Sequence, residues 1–473
     1  MPPADAVRDG RPLGAQLQIS PGAVVLGLCL PLLFLHVRYQ PSVGLPLGAT
    51  LKLQDAAVIA IAIAAAVRAV RGGVAPLRAA RPLWIATLLF LAWIVAATFY
   101  PLLSARAYAW RTHLVTAVEF GLYALLAPAV PLLVRRRADA LAVLGVLVAW
   151  SSAATLVGVV QWLGWDIVGA WPQGRRQPSF LGPHDFAALS GMTLLLGIVA
   201  LFWQAKGTAV RRGAWLAVAA GAIGFVLGGA SAGVLGLVPA VLFAAVVAAR
   251  RAVVGRRILA ATLATAAVAC LGVVVLRAGD FSQFFGFLGV RQAETSASTD
   301  IQTYSQRTLL AYIGVRIWLH HPIAGAGWQG STEESVVGPE LPAAHRRFPD
   351  LAARAFPGPG HEYGVQILYL QALADLGIVG FALTVGWLGV AVAAGARTAL
   401  RAPPNLAWVA TLGVCWLGLA LGLWAAMGLV AGIPLDALGW LAIGTIAAGM
   451  GAAGMGAAGT GAVAPADSGR IRR

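Results

Sequence analysis

The sequence predicts an all-α, polytopic membrane protein, and three observations carry that prediction. Of its 473 residues, 59% are hydrophobic and only 11% are charged, with a mean hydropathy of +0.80. A soluble domain carries about a quarter of its residues as charge. Apolar runs of roughly 20 residues, enough to cross about 30 Å of hydrocarbon, recur about twelve times. Between them Arg and Lys gather in short clusters after every second run, the alternation expected when basic loops stay on the cytoplasmic side.

In chain order the expected spans are 22–37, 55–70, 83–101, 114–134, 140–163, 186–203, 214–229, 232–249, 258–276, 364–395, 406–430 and 436–457. The basic clusters include Arg68, Arg71, Arg78 and Arg81, then Arg135, Arg136 and Arg137, then Lys206, Arg211 and Arg212, then Arg250, Arg251, Arg256 and Arg257, and finally Arg397 and Arg401. With Arg8, Arg11 and Arg470, they put both termini in the cytoplasm of a multi-pass protein of the inner membrane. The net charge of +16 is therefore a topology signal, and nucleic acid is not expected as a partner. Residues 1–20 and 458–473 read as polar tails, with the first apolar run retained as a helix rather than cleaved as a signal peptide. The bundle divides into 21–276 and 363–457. Cys29, Cys270 and Cys415 fall within spans, and their spacing suits neither a disulfide framework nor a metal site.

Residues 277–362 break the pattern. No run there is long enough to span, yet the stretch holds 8 of the 18 acids and about half the histidines. It reads as one large extracytoplasmic loop between helices 9 and 10, and as the part of the chain best supplied for chemistry. Two glycine patterns, around Gly325, Gly327 and Gly330 and around Gly449, Gly451 and Gly454, fit a dinucleotide fingerprint. They lack the preceding strand that such a site requires.

Three segments carry the candidate residues. In the loop before the sixth span, Arg175 and Arg176 precede a helix starting near Pro183–His184. Arginine suits phosphate because its planar fork donates two charge-assisted hydrogen bonds and stays ionised, and a helix start adds partial positive charge. Asp185 is placed to cap that helix. In "SQRTLLAYIGVRIWLHHPIAGAGWQG", Ser305 could cap a helix running to His320 and ended by Pro322. Arg307 and Arg316 are nine residues apart, about 900° around that helix, so they face opposite sides. Arg316 and His320 share one face. Taken alone, this helix reads as amphipathic and lying on the bilayer. In the third segment, His361 and Glu362 stand at the outer mouth of helix 10, where a histidine can act as a base near neutral pH. Glu119 and Asp375 sit within or beside spans, where acids are costly and lean functional.

Read together, these segments resemble the O-antigen ligase/polymerase superfamily of bacterial membrane glycosyltransferases. "RQPSFLGPHDFAALSGMTLLLG" is similar to its Arg…Gly-x-Phe…Pro-Asn signature, "GGASAGVLGLVPAVL" to its Ser-Arg-Gly segment, and "SQRTLLAYIGVRIWLHHPIAGAGWQG" with "YLQALADLGIVGF" to its blocks around a large periplasmic loop. The similarity covers roughly 170–390. It implies metal-independent transfer or polymerisation of a glycan from a polyprenyl-diphosphate-linked donor, such as undecaprenyl diphosphate, onto a lipid, glycan or protein acceptor in lipopolysaccharide-type envelope synthesis, without a cofactor. Arg307 matches the arginine implied to bind diphosphate, and His361 the histidine implied to activate the acceptor. Arg175, Arg176, Arg316, His184 and His320 are the further substrate-binding candidates. Three positions depart from the pattern: Ala232 replaces arginine, His184 replaces asparagine, and His361 lies about five residues too far from Gly377, with Gln366 nearer the expected place. A lipid-linked-glycan transporter or flippase, or an inactive family member, is the alternative expectation.

Overall fold

A computed structural model describes residues 19–44, 50–103, 107–172, 175–203, 209–280, 303–358, 363–429 and 433–460. Each expected span becomes a helix: α1 Pro21–Leu33, α2 Leu53–Gly72, α3 Arg81–Phe99, α4 Trp110–Leu133, α5 Arg137–Trp162, α6 Pro183–Trp203, α7 Ala209–Gly228, α8 Ser231–Arg250 and α9 Arg256–Leu276. Next comes α10 Thr303–His320, which lies in the large loop, followed by α11 Leu368–Arg401, α12 Pro404–Trp424 and α13 Ile433–Thr460. Among the described residues ten helices are long and apolar enough to cross a membrane; α1 and the apolar part of α13, Leu435–Gly451, are shorter. The protein is an all-α, multi-pass membrane protein.

Apolar side chains give no driving force between helices in lipid, so close backbone approach and buried polar bonds must hold the bundle. The sequence supplies both. Gly236 of α8 meets Gly422 of α12 so closely that a Cβ on Gly422 would strike the backbone of Gly236. Trp387 of α11 stacks on Phe90 of α3 at 4.8 Å, contacts Trp440 of α13 at 4.9 Å, and donates from Nε1 to Thr87 Oγ1 at 3.0 Å. Almost all of α6 is buried, which makes it the axis around which the site-bearing loops are arranged.

The structure departs locally from the sequence reading. α4 is interrupted at Leu125, and α11 begins only at Leu368 and is broken at Gly377, which adopts φ +65°. Ser42–Gly44 and Thr50–Lys52 pair as a short antiparallel hairpin, β1–β2. The loop helix starts at Thr303, so Ser305 lies inside its first turn instead of capping it. Nor does α10 lie free on the bilayer: Gly314 seats it against Val365 and Leu370. Leu309, Ile313 and Ile317 of α10 join Val336, Val337 and Phe356 in a second apolar core belonging to the loop.

The break in α11 is where this loop docks. Gly325 (φ +78°) and Gly377 are so close that a Cβ on either would meet the other strand's backbone. The amides of Ala326 and Gly327 donate to the carbonyls of Ala374 and Asp375 at 2.8 and 2.9 Å. In return, those of Ile378 and Val379 donate to Pro322 and Ile323 at 2.9 and 3.2 Å. Backbone groups freed at a helix break inside a membrane must find protein partners, and the Gly-Ala-Gly turn supplies them.

Candidate functional site

At the loop-bearing end, the C-terminal ends of α7 and α9 meet the starts of α6, α8 and α10. The segment before α6 is fixed first. Gln177, fully buried, accepts from Trp171 N at 2.9 Å, donates to Trp171 and Arg175 carbonyls at 3.2 Å, and donates from its own amide to Leu227 O at 2.8 Å. Ser179 ties the same segment to α5: its amide donates to Gln161 Oε1 at 2.8 Å and its hydroxyl to Ala154 O at 2.7 Å. On this rigid turn Arg176 points inward, its guanidinium 4.8 Å from the Trp171 ring centroid, while Arg175 is exposed. Gly229 (φ +56°) makes room for it, since a Cβ there would lie 2.8 Å from Arg176 Cβ.

Two further arginines converge on Arg176. Arg277 ends α9, is 7% exposed, pairs with Asp280, and lies 5.7 Å from the Tyr304 ring centroid. Tyr304 shares a 2.6 Å hydroxyl–hydroxyl hydrogen bond with Ser231, the first residue of α8. Arg307, one turn along α10 from Tyr304, is half-buried, and its Nε is buried without a hydrogen-bond partner among the described residues. Burial, then Arg277 and Arg307, push the Arg176 guanidinium down to about 10, against Asp280 and Tyr304, which act the other way. Burial lowers Arg307 as well, with Arg277 adding to it and Tyr304 opposing. His184, at the start of α6, is within electrostatic reach of all three arginines.

Three cations, one half-exposed carboxylate and a helix start therefore share one partly dehydrated space. Like charges crowded at low dielectric repel strongly, and an anion placed among them relieves that repulsion while filling Arg307's unused donor. Arginine's fork favours a phosphate-type oxyanion. Among the described residues no group of three His, Cys, Asp or Glu side chains is placed to hold a metal ion.

The other candidates fall elsewhere. Arg316 Nε donates to Glu340 Oε2 at 2.5 Å, and His320 Nδ1 lies 2.6 Å from Glu340 Oε1. Glu340 is 2% exposed, so both residues pin a short loop helix to α10 and stand apart from the arginine group. Asp375, fully buried, accepts from Ser331 N at 2.7 Å and Gln371 Nε2 at 3.0 Å, and so belongs to the docking break. Glu119 lies within reach of Asp55 and Asp436, inside the bundle. His361 and Glu362 lie outside the described residues, and Gln366 sits half-buried in the extended approach to α11. Sequence reasoning did not single out Arg277, Tyr304 or Trp171, and read Ser231 only as part of the segment similar to Ser-Arg-Gly. An arginine and aromatics at the end of an apolar run look like interface residues, and only the fold brings them together.

Residues 212–385 match the profile of a family described as O-antigen ligase. The match runs from α7 into α11 and includes Ser231, Arg277, Tyr304 and Arg307, whereas Arg176 and His184 precede it. No curated protein matches the chain significantly.

Proposed function

From the O-antigen ligase domain that puts this chain in the O-antigen ligase/polymerase superfamily, we propose that the protein transfers or polymerises a glycan from a polyprenyl-diphosphate-linked donor at the outer face of the cytoplasmic membrane. The observation that carries this reading is the convergence of Arg176, Arg277 and Arg307, with Asp280 the one acid beside them among the described residues. The arginines hold the diphosphate and neutralise it as it leaves, which makes departure easier by positioning and preorganised positive charge. His184 lies beside that group, and His361 is assigned to take the acceptor proton. Arg277 and Arg176 stand where the loss of arginine at Ala232 would otherwise leave the donor short of positive charge.

The transporter alternative predicts discontinuous helices whose freed groups line a substrate path. α11 is discontinuous, but its freed groups are consumed by the loop turn, which favours the transferase reading. The test is to replace Arg307 and His361 separately with Ala in a strain lacking the native gene and to measure the length and anchoring of the surface glycan. Both variants should leave the lipid-linked donor unconsumed. Unchanged glycan in both would overturn the assignment.

A further inference from the structure

A large apolar cavity lies at the opposite end from the arginine site. It measures about 630 Å³ and opens between α1, α4 and α5 on one side and α12 and α13 on the other. Its walls are apolar, among them Leu26, Leu144, Leu147, Val409 and Trp416. Along α5 it extends from Arg137 to Leu147, ten residues of helix or about 15 Å. That depth is half of the ~30 Å hydrocarbon core, so the cavity is one leaflet deep.

A second, smaller cavity of about 250 Å³ adjoins it and shares Arg135 and Arg136 with it. This one is a polar cup that also includes Ser20, Arg68 and Asp139. Asp139 offsets only one of the three arginine charges, and its oxygens accept from the amides of Ser20 at 2.8 Å, Arg136 at 3.1 Å and Arg135 at 3.3 Å rather than from a guanidinium. Neither Arg68, Arg135 nor Arg136 forms an ion pair among the described residues. Burial and Arg68 both lower the Arg135 guanidinium, so these cations also crowd one another.

We propose that the paired cavities form a specific site for an anionic glycerophospholipid of the cytoplasmic leaflet, with its phosphate in the arginine cup and an acyl chain in the apolar cavity. The apolar walls cannot provide selectivity, since bulk lipid is equally apolar; they provide space, and an acyl chain restores the contacts that an unfilled cavity would forfeit. Selectivity rests on the arginines, whose forks match a phosphate diester and whose mutual repulsion it relieves. The first residues of the chain are a poorer occupant, since Arg8 and Arg11 would add cations to a cationic cup. The site needs only the spanning bundle and its positive-inside orientation, not the transferase activity.

The experiment is native mass spectrometry of the full chain released from nanodiscs of phosphatidylcholine with phosphatidylglycerol. The wild type should retain phosphatidylglycerol, and R68Q/R135Q/R136Q should lose that retention by at least about tenfold while phosphatidylcholine adducts stay unchanged. Leu144→Trp, which fills the cavity from one wall, should displace the lipid with the arginines intact, and glycan transfer should persist in both variants. Equal retention of the two lipids, or phosphatidylglycerol undiminished in the arginine variant, overturns the proposal. Preferential displacement by polyprenyl monophosphate, or by inorganic phosphate alone, overturns the choice of occupant.

Discussion

Arg307 and Arg316 lie on one helix, nine residues apart, and have opposite fates. Arg316 meets Glu340 at 2.5 Å, and His320 takes the second oxygen of that carboxylate. Arg307 keeps a buried Nε with no partner among the described residues and lies within electrostatic reach of Tyr304 and Arg277. One face of α10 thus closes its own electrostatics and the other leaves them open. A fold selected only for stability satisfies its buried polar groups. The unsatisfied face is where a ligand is expected, and the satisfied face is what holds the loop in place to receive it.

The sharpest test of this contrast is Arg307→Met, which keeps the side chain's length and removes its charge. Losing one preorganised donor to a developing anion costs roughly 10²–10³ in rate, and glycan transfer should fall by that order. Stability should not fall with it. The change deletes a buried donor with no partner among the described residues, a group whose burial costs about 1–3 kcal/mol, so the melting temperature should hold or rise by a few degrees. A variant that loses activity only in proportion to lost folded protein would make Arg307 a structural residue and erase the contrast.

Gly377→Ala should have the next largest effect, and of the opposite kind. A methyl group there meets the Ile323 carbonyl, and φ +65° is itself unfavourable for alanine; together these cost about 3 kcal/mol or more. The loop should undock from α11, and limited proteolysis should cut first within 321–332. Protease resistance and melting equal to wild type would show that the glycine pair is not what clamps the loop.

How legible each region was in the sequence follows from the range of the forces involved. Helices were legible because the bilayer imposes a length and a composition on each span independently of the others. The loop was legible as an exception to that rule, and Arg307 was singled out by its resemblance to a motif. Arg277 was not, because its position depends on Tyr304, twenty-seven positions later, on Ser231 of α8 and on Arg176 from the segment before α6. The roles of Arg316 and His320 were hidden for the same reason: nothing in their spacing reveals Glu340. The break at Gly377 was hidden inside a run that reads as a single span, since its partner turn lies some fifty residues upstream.

Glu340→Gln tests the satisfied face at smaller amplitude. It removes the charge that holds Arg316 and His320, whose side chains are 34% and 57% exposed, so solvent screening keeps the loss small. Melting should drop slightly while transfer per folded molecule stays at the wild-type level. A tenfold loss of transfer with melting preserved would instead put Arg316 and His320 among the substrate-binding residues, as the sequence alone suggested.

The finest comparison is between two neighbours, Arg175 and Arg176. Both read from sequence as phosphate ligands, and both carry the same charge next to the same helix start. Arg176 is folded inward onto Trp171 and lies among Arg277, Arg307 and His184, whereas Arg175 is exposed. An exposed charge acts through high dielectric and salt, so Arg175→Ala should change transfer by less than about twofold at physiological ionic strength. Arg176→Ala removes a dehydrated donor fork and should cost at least about tenfold. Measuring both at low and high salt separates the two modes, because a screened, long-range contribution fades with salt and a direct contact does not. Equal losses for the two would mean that the segment before α6 acts only as a diffuse positive surface, and the three-arginine site would reduce to Arg277 and Arg307.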